Sequence, residues 1–226
     1  QMLLTMSACL GSVMMPRASH LIAENKNSEF NALIQKSYDF TLAIALPMTV
    51  GLIFCAPSLI TALCGVNFEN SILPSQVIAP IILMVAISNV FGIQVLFPKG
   101  KINIVTLCCG IGAVVDLVLN LCLIPFFSYV GTSIAYLGAE VTTTVSMYFI
   151  GKKYIPIRYF RKNHLHYILG CIIMAVTLFF IGRLQLHVLT ILILQGSIGC
   201  LIYFIALYIQ KETLLVQILS KIKCKI

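Results

Sequence analysis

The sequence predicts an all-α integral membrane protein, a bundle of seven membrane-spanning helices. The first observation is composition, because 60% of the 226 residues are hydrophobic and only 10% are charged, against about 45–50% and about 25% in a soluble domain. The second is that the apolar residues collect in runs of about 20, long enough to cross a hydrocarbon layer as helices. The third is that the basic residues concentrate in every second connection between these runs.

Seven apolar spans can be placed on these criteria. Their approximate ranges are 1–22, 38–63, 74–97, 102–124, 129–150, 165–184 and 187–209. When the connection after the first span is placed in the cytoplasm, 14 of the 15 lysines and arginines fall on the cytoplasmic side, and Arg183 is the exception. An excess of Lys and Arg in cytoplasmic loops sets the orientation of membrane proteins. The net charge of +8 therefore indicates orientation in a bilayer rather than nucleic-acid binding.

The fourth and fifth spans form a predicted helical hairpin that contains two carboxylates. Its arms cover residues 102–124 and 129–150, and a break at Pro125 separates them. Lysines flank both outer ends and the break carries no charge, which places the turn on the far side of the membrane. Asp116 lies in the first arm and Glu140 in the second. Ionisable groups are costly inside a membrane, so these two mark a candidate functional site.

Four residues of the hairpin are candidates for binding a coupling ion or lining a transport cavity, namely Asp116, Asn120, Thr132 and Glu140. Asp116 and Asn120 are four residues apart and so share one helix face. Glu140, on the antiparallel arm, is expected at a similar depth in the membrane. Carboxylate, amide and hydroxyl oxygens together could hold Na⁺ or a proton. The alternative is a buried polar network that joins the two helices.

Positions outside the hairpin supply further candidates. Arg17, at the inner end of the first span, is either a contact for an anionic head group or a topology anchor. Pro47, Gly51 and Pro57 lie inside the second span, where they predict either a hinge between states or ordinary helix irregularity. The nine cysteines show no CxxC or Cys/His spacing. No metal site, catalytic group or cofactor beyond a coupling Na⁺ or H⁺ is therefore predicted.

The spans predict an organisation in three parts. Residues 1–151 form a core of five spans, residues 152–210 add two more, and residues 211–226 form a basic amphipathic tail on the cytoplasmic surface. The polar connection 24–37 is likewise expected to lie along the inner surface as an amphipathic helix. The chain starts inside a helix and has no signal peptide, which predicts the C-terminal part of a longer protein.

A series of short motifs in fixed order resembles a known family. The motifs are Met15-Pro16-Arg17-Ala18-Ser19, Ala45-Leu46-Pro47 with Gly51, Ala56-Pro57, Cys64-Gly65-Val66-Asn67-Phe68, Gln94-Val95-Leu96, Gly100-Lys101, Asn120-Leu121-Cys122-Leu123-Ile124-Pro125, Val130-Gly131-Thr132-Ser133 and Glu140. Over roughly residues 8–151 the chain resembles the C-terminal half of a bacterial polysaccharide or oligosaccharide flippase of the O-antigen type. That superfamily also contains multidrug exporters and lipid II flippases. Asp116 departs from the pattern, which more often has asparagine or a small residue there.

The resemblance implies the C-terminal lobe of a fourteen-helix alternating-access transporter in the bacterial inner membrane, with an N-terminal lobe as its partner. It implies that oligosaccharide units linked to polyprenyl pyrophosphate, such as O-antigen repeats for lipopolysaccharide, are flipped from the cytoplasmic to the outer leaflet. Membrane lipids surround the protein, and no bond is broken. A cation-coupled exporter of drugs or small molecules is an alternative within the same superfamily. A membrane enzyme of polysaccharide synthesis is a further alternative, which the short outer loops disfavour because Glu69 is their single carboxylate.

Overall fold

The computed structural model describes residues 2–157, 162–184 and 187–209, with side chains described from residue 13 and again from residue 164. Every regular element in these ranges is helical, which confirms the predicted class. The elements are α1 (Met2–Ala23), α2 (Asn27–Cys64), a 3-10 helix (Val66–Ser71), α3 (Ile72–Ile78), α4 (Ile81–Asn89), a π-helix (Val90–Leu96), α5 (Ile102–Gly151), α6 (Lys162–Gly182) and α7 (Val188–Ile209). The π-helix is called the π segment below.

Five helical stretches of the described chain are long and apolar enough to cross a membrane. They are Asn27–Cys64, Val66–Leu96, Ile102–Gly151, His164–Gly182 and Val188–Ile209. The third of these has 50 residues. A straight helix of that length would measure about 75 Å, more than twice the hydrocarbon thickness of about 30 Å. The number of seven crossings stays a prediction.

Helix α5 reverses direction at Ser128, which confirms the predicted hairpin. Ser128 has φ 45° and ψ −124°, far from helical values, inside an otherwise continuous helix. The arms are residues 102–127 and 129–151. The predicted break at Pro125 was misplaced by three residues, because the first arm continues through the proline. Neighbouring groups in a membrane protein can satisfy the carbonyl that a proline leaves free.

Glycines let the two arms of α5 approach each other closely. A Cβ atom on Gly131 would lie 2.7 Å from the carbonyl oxygen of Leu123 on the opposite arm. A Cβ atom on Gly112 would overlap the hydroxyl of Thr143. Small residues at such positions permit tight packing between membrane helices. The arms therefore form an antiparallel pair in direct backbone contact.

The described helices form two compact units. The first contains α1, residues 27–45 of α2, α4, the π segment and α5. The second contains residues 46–64 of α2, the 3-10 helix, most of α3, α6 and α7. The predicted boundaries after residues 151 and 210 stay predictions. The predicted basic tail, residues 211–226, lies outside the described residues.

The connection 24–37 was wrongly predicted as a separate surface helix. Asn25, with φ 56°, separates α1 from α2, and α2 then runs without interruption from Asn27 to Cys64. Phe30 and Ile34 are fully buried in the first unit. Their helical spacing therefore reflects a face packed into the protein core instead of one lying on the lipid surface.

In the second unit, α6 and α7 pack as a close pair. A Cβ atom on Gly170 would lie 3.3 Å from the Tyr203 ring, and one on Gly199 would lie 3.0 Å from a Leu178 methyl group. Glycine on each helix thus receives a large side chain of the other. This pair also contains a fully buried amide, Gln195, which donates to the Leu178 carbonyl at 3.4 Å.

The contact at Gly131 predicts a stability effect with an internal control. Gly131→Ala should lower the free energy of unfolding by about 1–3 kcal/mol, because the new methyl group would press on the Leu123 backbone, which cannot move aside as a side chain does. Gly110→Ala in the same hairpin meets no atom within 4 Å. It should be neutral or stabilising by up to about 1 kcal/mol, since alanine favours helix. Thermal unfolding in detergent measures both, and equal melting temperatures would contradict the packing.

Candidate functional site

A cavity of about 470 Å³ lies within the first unit, between α4, the π segment and both arms of α5. Seven side chains with polar atoms line it, namely Ser88, Asn89, Cys109, Asp116, Tyr136, Glu140 and Thr143. The other lining residues are apolar or glycine. Polar atoms that converge on one space inside an apolar bundle are typical of a binding site. The cavity is therefore the candidate functional site.

The hairpin places the two carboxylates at the same depth. Asp116 precedes the reversal at Ser128 by 12 residues and Glu140 follows it by 12. At 1.5 Å per residue both lie about 18 Å from the turn. Both side chains line the cavity, as the count along the sequence predicted. Two like charges close together in a medium of low dielectric repel strongly, so the pair favours a bound cation or proton.

Two oxygen atoms at this site lack a hydrogen-bond donor among the described residues. They are Oδ1 of Asp116 and Oδ1 of Asn120, and both atoms are buried. The Asn120 amide nitrogen donates to the backbone carbonyl of Asp116 at 2.9 Å, which holds Asn120 beside the carboxylate. A buried acceptor without a donor is costly. Such oxygen atoms can coordinate Na⁺, an ion that prefers oxygen ligands, or can accept a proton.

The other candidates of the hairpin are placed differently. Asn120 is next to Asp116 but is not among the residues that line the cavity. Thr132 is exposed, four residues after the reversal, and does not line the cavity either. The cavity thus brings together Asp116 and Glu140, with Asn120 adjacent and Thr132 apart. Among the residues that the structure describes, no three His, Cys, Asp or Glu side chains gather as a metal centre requires.

Arg17 and the hinge candidates are placed as follows. Arg17 is exposed on α1. Helix α2 continues through both Pro47 and Pro57. Gly51 has a packing role in the second unit, where an added Cβ would lie 3.3 Å from the methyl carbon of Met174. The chain leaves the first compact unit after residue 45 and enters the second at residue 46, directly before Pro47. The roles of Arg17 as a head-group contact and of these three positions as a hinge stay predictions.

Sequence reasoning missed the contribution of α4 and the π segment to this site. Ser88, Asn89 and Gly92 line the cavity together with the two arms of α5. The available signal was the polar pair Ser88-Asn89 within a long apolar run, followed closely by glycine. Polar residues inside membrane segments usually face other helices or a cavity.

The sequence matches the family described as "Lipid II flippase MurJ" over residues 3–207. The chain belongs to this family. Among solved structures, "Lipid II flippase MurJ, inward closed conformation" has a similar fold, with a TM-score of 0.74 and 18% sequence identity. The similarity covers 92% of this chain and 44% of that chain, so this chain spans less than half of the solved protein. A comparison with curated proteins found no significant match.

Membership of the MurJ family confirms the coarser part of the predicted resemblance. The chain is a multi-pass inner-membrane protein of a flippase family, and the family description names a transporter rather than an enzyme. The description names lipid II, whereas the motifs had indicated the O-antigen branch of the superfamily. The predicted superfamily is therefore confirmed, whereas the O-antigen branch is not supported by the family match.

Two adjacent cysteines predict a labelling experiment that tests the cavity. Cys109 lines it, whereas Cys108 is completely buried on another face of the same helix. Thiol reagents attack the thiolate and need water at the site. In versions of the complete protein that keep only one of the two, Cys109 should react with a water-soluble thiol reagent and Cys108 should not. Failure of Cys109 to react would show that the cavity is closed to water, and reaction of Cys108 would contradict its burial.

Proposed function

We propose that this MurJ-family chain forms one lobe of a transporter that moves a sugar linked to polyprenyl pyrophosphate from the cytoplasmic to the outer leaflet. The observation that carries the proposal is the family match over residues 3–207. A polar cavity inside a bundle of apolar helices supports it, because alternating access needs a site buried within the membrane. The other lobe would be the partner that completes the transport pathway.

The substrate we propose is lipid II or a close analogue. The matching family and the similar solved structure are both described as lipid II flippases. An O-antigen repeat is the competing substrate, since it carries the same polyprenyl pyrophosphate on a different sugar. The two differ only in the head group, which the described cavity does not distinguish.

The acidic cavity is a cation site in this proposal, and the pyrophosphate binds elsewhere. Asp116 and Glu140 would repel an anionic head group strongly in a medium of low dielectric. Within the described part of the chain, no lysine or arginine lines this cavity. Na⁺ or H⁺ bound between the carboxylates would remove their repulsion and so couple an ion gradient to the state of the lobe. Arg17 and cations of the partner lobe are the proposed contacts for the pyrophosphate.

A flipping assay with the complete protein in proteoliposomes tests the substrate. Fluorescent lipid II, a lipid-linked O-antigen repeat and a cationic dye are offered separately under the same ion gradient. We expect lipid II to cross and the other two to stay. Movement of the O-antigen repeat alone would overturn lipid II as the proposed substrate. Export of the dye alone would favour the drug exporter, for which the acidic cavity is the supporting observation.

The coupling site predicts the effect of one substitution. Asp116→Asn should abolish the dependence of flipping on the ion gradient and lower the rate by about tenfold or more, since coupling free energies are about 1–3 kcal/mol. The amide keeps the size of the side chain but removes the charge that attracts the cation. Thr132→Val, at an exposed position outside the cavity, is the control and should transport normally. Normal transport by Asp116→Asn at every gradient would refute coupling at this site.

A further inference from the structure

The helix that forms one wall of the cavity departs from α-helical geometry. The π segment, Val90–Leu96, has the wider π-helical turn. At its end the Phe97 amide donates to the carbonyl of Gly92, five residues back, at 2.9 Å. Such a turn accommodates one more residue than an α-helix and is frequently found at functional sites. Here Gly92 and Ile93 of the π segment, with Asn89 directly before it, line the cavity.

A different face of the π segment is fixed to α2 by a buried hydrogen bond. The Ser37 hydroxyl donates to the side-chain oxygen of Gln94 at 2.5 Å. Both residues are only 1% exposed. One residue further along α2, the Tyr38 ring stacks on Phe91 with 6.3 Å between ring centres. Loss of this partner would leave the buried Gln94 amide unpaired in apolar surroundings and would destabilise the folded protein. The bond therefore resists rotation of the segment about its axis.

The chain is also fixed directly after the π segment. The Lys99 ammonium donates to the Tyr154 carbonyl at 2.7 Å and lies 5.0 Å from the centre of the Phe30 ring. Because Lys99 anchors the chain after the π segment, we expect a change of helical register in the segment to move the residues before it, in α4.

We propose that Ser37 and Gln94 are positioning residues whose hydrogen bond holds the π register and thereby places Asn89 on the cavity wall shared with Asp116 and Glu140. Without the bond the segment relaxes to an α-helix, which accommodates one residue fewer. Each residue turns an α-helix by about 100°. Val90, now buried away from the cavity, then takes the place of Asn89, and an isopropyl group replaces an amide on the wall.

Cysteine labelling reads this register directly. The complete protein, freed of its own cysteines, carries either Asn89→Cys or Val90→Cys and is treated in membranes with a water-soluble thiol reagent. With Gln94 present, position 89 should react and position 90 should not. With Gln94→Leu the reactivity should exchange, falling at 89 and rising at 90 by about tenfold each, the population change that one buried hydrogen bond can produce.

Three further variants make the experiment decisive. Gln94→Glu retains an acceptor oxygen for Ser37 and should restore the original pattern. Ser37→Ala removes the same hydrogen bond from the other partner and should reproduce the exchange of reactivity. This variant still tests the proposal if Gln94→Leu does not reach the membrane. Gln195→Leu removes an equally buried glutamine from the second unit and should change neither rate.

Unchanged rates at both positions, or a rise at both, would overturn the proposal, because general loosening exposes 89 and 90 together. The meaning of this wall for transport rests on the proposed function, whereas the labelling pattern does not depend on it. A failed flipping assay and a failed labelling exchange are therefore distinguishable.

Discussion

The close contact between the two arms of α5 is the constraint on which the candidate site depends. The backbone reverses at Ser128, Gly131 lets the arms meet backbone to backbone, and Gly112 leaves room for the Thr143 hydroxyl. Since Asp116 and Glu140 are equally far from the reversal, contact between the arms forces both carboxylates to one depth and one cavity.

The same geometry also explains why side chains other than the two carboxylates contribute oxygen atoms to the site. A pair of acidic groups in an apolar bundle is stable only when hydroxyl groups, amides, water or a cation compensate the charge. Asn89, Tyr136 and Thr143 line the same cavity, and Asn120 bonds to the Asp116 backbone one turn away. Polar residues of three helical stretches thus converge on one cavity.

Much of this arrangement could be predicted from the sequence, because hydropathy and flanking lysines define a hairpin and counting from its turn gives relative depth. Thr132 is exposed and lies outside the cavity, four residues after the turn at Ser128, so its role stays a prediction. Phe30 and Ile34 have the spacing of an interfacial stripe, yet a core face has the same spacing, and only packing distinguishes them. The π segment was unpredictable for a related reason. The wider turn depends on the hydrogen bond between Gln94 and Ser37, which are 57 residues apart in the sequence. Such a contact leaves no periodicity in the sequence that could be detected.

The anchors around the π segment connect the cavity with the lysine-rich end of the hairpin. Lys99 lies between a backbone carbonyl and an aromatic ring, and burial lowers the pKa of its ammonium group. A topology anchor needs only solvent and lipid head groups, so such enclosure indicates a structural role in addition to orientation. The neighbouring Lys101 lies 5.2 Å from the centre of the Tyr154 ring, so two lysines fix the start of α5 to the segment that follows its end.

The hairpin is therefore closed at both ends, by backbone contact near Ser128 and by cations at Tyr154. The π segment is continuous with the lysine end, and Ser37 holds it from α2. Of the three helical stretches around the cavity, the one with α4 and the π segment has a register that a single side-chain hydrogen bond can set. A change in the charge of the cavity would therefore act first on that wall.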